Sequence, residues 1–280
     1  KLYQVITADE KTADEFASNG FSYSLDYYEL LRSHLAPGGL AMQWVPTTLP
    51  PSQYRMVLKT FTRGFPHVQL WYFMPAYRRG PFNTLLVGSN EPLEIDPGRI
   101  DERLAKHHAA FSGLGRYGLT SSVAILPHFI AADQQLRDAV TDAHTNTLDH
   151  PRYEFYYPWD YVRNQERHII DNQAFLFDLK RNGHSAFAAS LDMNETDREI
   201  FDRTMRAEFI YLFGFQRFLL GMTLEEQYRY FDATLAMAPW NDSLRARIYA
   251  KYSHIASSRR SPAERRRLEQ KAQSLSPEPP

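Results

Sequence analysis

The apolar positions in the first part of the chain alternate between strand-like and helical patterns. A short apolar run at residues 2–8 predicts a strand, and Asp9 follows it directly. Ser24 precedes a helical repeat and is expected to cap that helix, whose apolar members are Leu25, Tyr28, Leu31 and Leu35. Pro37-Gly38-Gly39 is expected to stop the helix, and the apolar run at residues 40–45 predicts a buried central strand.

A second helix and two further strands follow in this α/β part. Apolar residues recur at helical spacing between Tyr54 and Phe61. Two strand-like runs come next, at residues 68–73 and 82–87, and the segment between them contains proline and glycine. This combination predicts an antiparallel hairpin at the edge of a sheet. The predicted order is therefore strand, helix, strand, helix, hairpin.

From Asp96-Pro97 onward the pattern is mainly helical, with proline at a first-turn position. Beyond residue 159 the spacing predicts three or four helices, drawn through residues 161–179, 195–220, 223–238 and 242–253. The stretch from Leu224 to Asp242 resembles the second half of a tetratricopeptide repeat that runs into the next one. We predict an α/β half-domain at 1–95, a helical and irregular extension at 96–158, an α-helical domain at 159–274 and a disordered tail at 275–280.

Composition limits the classes of function. Hydrophobic residues make up 43% of the 280 residues and charged residues 23%, a balance typical of a globular protein. The 32 basic and 33 acidic residues give a net charge of −1, which argues against nucleic acid or an anionic membrane as a partner. With no cysteine, the sequence excludes disulfides and cysteine nucleophiles and suits a reducing, cytoplasmic location. The histidines show no metal-ligand spacing, so no metal site is expected.

The chain starts at Lys1 and enters a strand of interior character at once. An α/β domain that opens on such a strand is expected to have earlier βα units. We therefore expect the sequence to be the trailing part of a longer protein, in which a membrane portion can precede Lys1. No apolar run in the sequence itself reaches the roughly 20 residues that a membrane helix needs.

Four segments together resemble the spermidine synthase (polyamine aminopropyltransferase) family. They are the strand that ends at Asp9, the block from Tyr27-Tyr28 through Pro37-Gly38-Gly39 to Gln43-Trp44, Pro75-Ala76-Tyr77-Arg78-Arg79-Gly80 with the later Leu85-Leu86-Val87-Gly88-Ser89, and residues 146–155. The likeness covers residues 1–95 and the patch near 146–158. It implies the C-terminal half of a methyltransferase-like, Rossmann-type sheet, followed by helices that the short members of the family lack.

The resemblance implies a role for three residues. Asp9 matches the aspartate that takes the proton of the attacking amine, because an amine must be neutral to attack. Tyr77 matches a hairpin tyrosine that helps hold the amine, and Gln43 matches a position at the substrate channel. Each has a simpler interpretation: Asp9 caps a turn, Tyr77 packs on the edge strand, and Gln43 is a buried amide satisfied by the backbone.

Two departures from the family limit what the resemblance implies. A second acidic residue that grips a diamine in the family is replaced by the segment Glu10-Lys11-Thr12-Ala13, and Lys11 would repel a cationic diamine. The residues that hold the nucleoside belong to the first half of the fold. This chain by itself is therefore not expected to bind decarboxylated S-adenosylmethionine.

The resulting expectation is transfer of an aminopropyl group from decarboxylated S-adenosylmethionine to a small-molecule amine, within a longer chain. Two alternatives stay open. One is a methyltransferase that uses S-adenosylmethionine itself. The other is a non-catalytic scaffold, in which the tetratricopeptide-like helices hold a protein partner.

Overall fold

A computed structural model describes residues 1–8, 17–73, 83–115, 118–155, 164–258 and 261–275. Contacts divide these residues into two compact units. The first contains residues 1–8, 17–73, 83–94, 128–155 and 164–187, and the second contains 95–115, 118–127, 188–258 and 261–275. Both units are discontinuous in the sequence, and the four predicted consecutive domains stay a prediction. Residues 276–280 of the predicted tail lie outside the described residues.

A mixed five-stranded sheet forms the centre of the first unit. Its strands are β1 (Tyr3–Ala8), β2 (Leu35–Pro46), β3 (His67–Phe73), β4 (Asn83–Ser89) and β5 (Phe129–Ala132), in the spatial order β1-β2-β4-β3-β5. β1 and β2 are parallel, whereas β4 is antiparallel to both β2 and β3. The first three strands therefore run in one direction and end at the same edge of the sheet. The predicted α/β class and the antiparallel pairing of β3 with β4 are confirmed. The predicted position of this pair at the edge of the sheet is wrong, because β4 also pairs with β2 and β3 also pairs with β5.

Two helices connect the parallel strands. Helix α1 (Leu25–Ser33) lies between β1 and β2 in the sequence, and α2 (Pro51–Gly64) lies between β2 and β3. The Ser24 hydroxyl accepts a hydrogen bond from the backbone N–H of Tyr27 at 3.1 Å, so the predicted N-cap is confirmed. The helices pack through aromatic side chains, with the ring centroids of Tyr28 and Phe61 4.9 Å apart. Both rings are fully buried, which fixes α1 against α2.

The prediction that Leu35 belongs to the helix was wrong. Leu35 is the first residue of β2 and pairs with Tyr3, whereas the next pair in the ladder joins Val5 to Leu40. The intervening Pro-Gly-Gly segment is a bulge within the strand, and Gly38 adopts a left-handed φ of 67°. The apolar spacing could not separate the two assignments, because a buried leucine satisfies either pattern.

Strand β5 was missed from the sequence because it has only four residues and no alternation of apolar and polar positions. It lies beside β3, with Ala131 opposite Leu70 and Phe129 opposite Trp71. Three helices complete the first unit: α6 (Asp133–Ala139), α7 (Arg152–Phe155) and the part of α8 (Gln165–Ser190) up to Phe187. The predicted helix at 161–179 thus corresponds to α8, which begins later and extends further.

The second unit is helical among the residues that the structure describes. Its helices are α3 (Pro97–Lys106), α4 (His108–Gly115), α5 (Ser122–Ile125), α9 (Glu195–Leu219), α10 (Leu224–Met237), α11 (Asp242–Ser258) and α12 (Pro262–Gln273). The predicted start at Asp96-Pro97 is confirmed, since the Asp96 carboxylate accepts from the Arg99 N–H at 2.9 Å. The predicted helices at 195–220, 223–238 and 242–253 correspond to α9, α10 and α11.

A buried ion pair joins α9 to α11 in this helical unit. The Arg247 guanidinium donates to the Glu208 carboxylate, and both side chains are almost completely excluded from solvent. The guanidinium also lies 4.9 Å from the ring centroid of Tyr211. Burial raises the pKa of Tyr211 to about 12, with the Arg247 charge acting against that rise. The phenol is therefore neutral at physiological pH.

Candidate functional site

The carboxyl edge of the parallel strands is the candidate site, since ligands of open α/β sheets bind outside the carboxyl ends of the strands. β1 ends there at Ala8, β2 at Pro46 and β3 at Phe73. Asp9 follows Ala8 in the sequence and Tyr77 follows β3, but both lie outside the described residues. Of the three predicted site residues, the structure therefore describes Gln43.

Gln43 lies on β2, opposite the last residue of β1. Its side-chain Nε2 donates to the carbonyl oxygen of Ala8 at 3.3 Å and to that of Trp44 at 3.0 Å. Because both partners are acceptors, they fix which end of the amide is the nitrogen. The side chain is completely buried, and no described residue donates to Oε1. Gln43 thus presents one unpaired carbonyl oxygen beside the carboxyl end of β1.

Tyr54 on α2 lies close to the sheet, and its hydroxyl group is satisfied by a hydrogen bond to β4. The Tyr54 hydroxyl and the Thr84 hydroxyl are 2.8 Å apart, and Thr84 donates to the carbonyl oxygen of Val45 at 2.9 Å. Thr84 therefore accepts from Tyr54. Burial raises the pKa of Tyr54 well above its usual value, so the phenol is a neutral donor. This chain of bonds joins α2, β4 and β2 and serves the structure.

Helix α8 contacts the segment that follows β2. Asn172 uses its side-chain Nδ2 to donate to the carbonyl oxygens of Thr47, at 2.9 Å, and Leu49, at 2.7 Å. One turn earlier, His168 Nδ1 lies 3.3 Å from the carbonyl oxygen of Thr48. Residues 168 and 172 thus hold the backbone at the carboxyl end of β2 through two polar side chains.

Two neighbouring amides on α8 leave polar atoms without a described partner. Asn172 Oδ1 has none, because its amide nitrogen is turned toward the two carbonyl groups. Gln173 is completely buried, and neither atom of its amide is paired with any described residue. The sequence analysis missed both residues. The available signal was a set of polar residues on the same helical face as the apolar Ile169 and Leu176.

A buried lysine lies further along α8. Lys180 donates to the carbonyl oxygen of Phe129, at the start of β5, and its Nζ lies 5.3 Å from the ring centroid of Tyr72. Tyr72 is the penultimate residue of β3, so Lys180 lies near the carboxyl end of that strand. Helix α8 therefore runs from the end of β2 toward the end of β3 with polar side chains on its buried face.

The segment at 146–155, which contributed to the family resemblance, fixes the chain that leads into α1. Asn146 Nδ2 donates to the carbonyl oxygens of Gly20, at 2.8 Å, and Tyr23, at 3.2 Å, while its Oδ1 accepts from the Tyr153 N–H at 3.0 Å. Gly20 also lies against Glu154, whose Cγ would be 2.5 Å from an added Cβ. Asn146 is buried, and its side-chain amide is fully used by these contacts. Its role here is structural.

A glycine pattern near residue 115 does not provide a nucleotide loop. Gly113, Gly115 and Gly118 have the spacing Gly-x-Gly-x-x-Gly, which binds dinucleotides when it joins a strand to a helix. Here the first two glycines belong to the end of α4, so a helix comes before the pattern. Gly118 lies against the backbone of Ser243 in α11. Neither the helical position of Gly113 and Gly115 nor the contact of Gly118 with α11 fits a phosphate-binding turn.

Within the part of the chain that the structure describes, no cluster of three or more histidine or acidic residues is placed to hold a metal ion. None of the described helices is both long and apolar enough to cross a bilayer. Comparison of the sequence with protein-family profiles and with curated proteins gives no match.

Proposed function

We propose that this chain supplies the amine-binding side of a spermidine synthase-like transferase, in which an alkyl group, expected to be aminopropyl, passes from an S-adenosylmethionine derivative to an amine. The observation that carries the proposal is the buried Oε1 of Gln43, which accepts no hydrogen bond from any described residue. A buried polar atom without a partner costs about 1–3 kcal/mol, which an N–H donor from a ligand would offset. An amine is such a donor.

The architecture of the first unit supports this proposal. Strand, helix, strand, helix and hairpin occur in the order expected for the closing half of a methyltransferase-like sheet. β1, β2 and β3 are parallel, and the hairpin strand β4 lies between β2 and β3. Fold alone does not establish an activity, because one fold supports many functions. The additional support is chemical, because Gln43 places a hydrogen-bond acceptor for an amine at the carboxyl edge of the sheet.

In the proposed reaction Asp9 is the base, and Gln43 and Tyr77 position the amine. The amine nitrogen attacks the carbon bound to the sulfonium, the new C–N bond replaces the C–S bond, and the proton of the amine passes to Asp9. The Gln43 Oε1 accepts one amine N–H, which orients the lone pair of the nitrogen. None of the described residues forms a nucleoside-binding loop, so we assign no residue of this chain to the sulfonium donor.

The proposal is tested by measuring product formation in the full-length protein with two donors. Decarboxylated S-adenosylmethionine is expected to give the aminopropylated amine, and Asp9→Asn is expected to reduce the rate at least a hundredfold. Asp9→Asn with full activity would contradict the assignment of the base. Transfer from S-adenosylmethionine alone would instead favour the methyltransferase alternative. The chain described here is expected to bind neither donor in calorimetry.

A second candidate function, a protein-binding scaffold, is favoured by the helical unit. Apolar side chains are exposed in this unit: Phe213 on α9 is 47% exposed, and Leu220, which follows α9, is 52% exposed. Trp240, between α10 and α11, is 38% exposed and stacks on the Arg203 guanidinium. If this surface binds a protein, Phe213→Ser should abolish that binding and leave amine binding unchanged. Protein binding that survives in Phe213→Ser would argue against the scaffold function.

A further inference from the structure

The outer edge of β1 is open and exposed, whereas the opposite edge of the sheet is covered. β1 is the first strand in the spatial order, and none of the described strands pairs with its outer side. Tyr3 and Val5 of this strand are 42% and 54% exposed, whereas the first three residues of the other edge strand, β5, are buried. An exposed edge strand has a row of unpaired backbone N–H and C=O groups. A further strand can therefore pair with β1.

An apolar groove of about 400 Å³ is formed by β1 and α1. Tyr3, Val5 and Thr7 line it from the strand, and they share one face of the sheet because alternate residues of a strand point the same way. Leu30 and His34 line it from the side of α1, and Leu30 is 50% exposed. The groove thus adds exposed apolar side chains to the free backbone edge, a combination that indicates a surface for a protein partner.

Strand and helix residues lie at matching heights along this groove. The backbone N–H of Tyr3 donates to the carbonyl oxygen of His34 at 2.9 Å, so the end of α1 lies beside the start of β1. Leu30 precedes His34 by four residues, which is about 6 Å along a helix. Val5 follows Tyr3 by two residues, which is about 7 Å along a strand. Because α1 connects two parallel strands and so runs opposite to β1, Val5 and Leu30 lie at one height, in the middle of the groove.

The two ends of the groove carry opposite charges. At the Tyr3 end, the Nζ of Lys1 lies 5.2 Å from the ring centroid of Tyr3. Asp26 precedes Leu30 by four residues and so lies one helical turn toward the other end. Asp26 is exposed, and its Oδ2 accepts from the Leu148 N–H at 2.9 Å. A two-fold rotation about the middle of the groove therefore brings the cationic end of one copy to the anionic end of another.

We propose that β1 pairs antiparallel with β1 of a second copy of this chain, about a two-fold axis at Val5, so that the two sheets join into one. Val5 and Leu30 then each approach their own counterparts, while Lys1 of each copy lies opposite Asp26 of the other. A two-fold axis requires such a self-complementary surface. The same rotation covers the apolar middle and pairs both charged ends, which favours a second copy over an unrelated strand. The inference goes beyond the proposed transferase function and does not depend on it.

The first test measures the dimerisation of the 280-residue chain by analytical ultracentrifugation over a range of protein concentrations. The wild-type chain is expected to be a dimer. Val5→Lys places two ammonium groups on the axis and should weaken dimerisation at least tenfold. Phe155→Lys is the control at an exposed apolar residue of the same unit outside the groove, and it should dimerise as the wild type does. Thermal unfolding of each variant establishes that it is folded.

An exchange of charges tests the two-fold geometry itself. Lys1→Glu and Asp26→Lys each place like charges opposite one another and should each weaken dimerisation at least tenfold. Mixed in equal amounts, the two variants should form a heterodimer. In it, the introduced carboxylate of one variant faces the introduced ammonium group of the other, and the two unchanged residues form the second pair. Native mass spectrometry separates the heterodimer from both homodimers.

The inference is overturned if the wild-type chain is monomeric at the highest concentration reached, or if Val5→Lys dimerises as the wild type does. It is also overturned if the mixed charge variants form no heterodimer. The competing occupant of this edge is an earlier strand of a longer chain. In that case the full-length protein is a monomer whose β1 amides are protected from hydrogen exchange, and this result would also overturn the inference.

Discussion

The side-chain nitrogen of Gln43 donates to the carbonyl oxygen of Ala8, the last residue of β1, at 3.3 Å. This contact joins β2 to the end of β1 through a side chain as well as through the parallel ladder. It also turns the amide so that its oxygen is the unpaired atom. The simpler interpretation of Gln43, a buried amide satisfied by the backbone, therefore applies to its nitrogen and leaves its oxygen available.

Asn146→Ala is expected to destabilise the first unit by about 2–4 kcal/mol. The change removes the donor for the Gly20 and Tyr23 carbonyl groups and the acceptor for the Tyr153 N–H, and all of these are buried contacts. Urea unfolding provides the measurement. The control is Asn90→Ala, at an exposed residue with one long bond to Arg32, for which a change below about 0.5 kcal/mol is expected. Equal effects of both variants would contradict the structural role of Asn146.

Two glycine substitutions in the second unit should have opposite effects. Gly118 has a φ of 65°, and an added Cβ would lie 2.0 Å from the backbone nitrogen of Ser243. Gly118→Ala should therefore destabilise the unit by more than about 1–2 kcal/mol, the cost of the left-handed backbone alone. An added Cβ at Gly113, in α4, meets no atom within 4 Å, so Gly113→Ala should stabilise it by about 0.5–1 kcal/mol. Thermal unfolding of the two variants checks the pair, and Gly118→Ala with wild-type stability would refute the close approach to α11.

Loss of one partner of the Arg247–Glu208 ion pair should destabilise the protein strongly, whereas replacement of both partners by apolar residues should change stability much less. Glu208→Ala leaves a buried cation without its partner and is expected to cost about 3–5 kcal/mol. The double variant Glu208→Leu with Arg247→Met removes both charges and should recover most of that loss. By contrast, Asp178→Ala breaks the exposed pair with Arg181 and should change stability by less than about 0.5 kcal/mol. Denaturant titration measures all three, and a double variant less stable than Glu208→Ala would argue against the account.

Thr223 and Glu226 form a capping box at the start of α10, in which each side chain accepts a hydrogen bond from the backbone of the other residue. This arrangement predicts that stability changes with pH below the usual pKa range of glutamate. Glu226 accepts hydrogen bonds from the Thr223 backbone N–H and hydroxyl, both at 2.9 Å, and these two bonds lower the pKa of the carboxyl group. A lowered pKa stabilises the fold above the unfolded-state pKa, and this contribution is lost as the pH falls through the folded-state pKa. Glu226→Gln should therefore weaken the loss of stability in acid. Nuclear magnetic resonance titration of Glu226 should show its pKa rising when Thr223 is changed to Val, which removes the hydroxyl donor and keeps the backbone N–H, and an unchanged titration would exclude the hydroxyl bond as a cause.

Much of the fold could be predicted because its signals are local. Ser24 was identifiable as a helix cap and Asp96-Pro97 as a helix start, whereas Pro37-Gly38-Gly39, which was expected to stop a helix, lies within β2. Leu35 was assigned incorrectly because its place in β2 depends on pairing with Tyr3, a partner in a different element. β5 was missed because a four-residue strand is defined by its neighbour β3 and not by its own pattern.

The candidate site could be predicted only in part. Gln43 was identifiable because it lies on a predicted strand, within a segment for which a family resemblance was predicted from the sequence. Asn172 and Gln173 could not be found in this way, since the carbonyl partners of Asn172 are more than 120 positions away in the sequence. On a helix, a polar residue is by default expected to face solvent. Its burial against the end of β2 is a property of the tertiary structure.

The central claim is that Gln43 binds an amine at the carboxyl edge of the sheet, and calorimetry with primary amines tests it most directly. The wild-type chain is expected to bind an amine, and Gln43→Leu should weaken that binding at least tenfold, about 1.4 kcal/mol. Gln69→Leu is the matched control, because Gln69 is also a buried sheet glutamine but hydrogen-bonds to Leu93 and Trp71. This control should bind as the wild type does. Equal affinity in the wild type and Gln43→Leu, or no binding of any amine, would contradict the account.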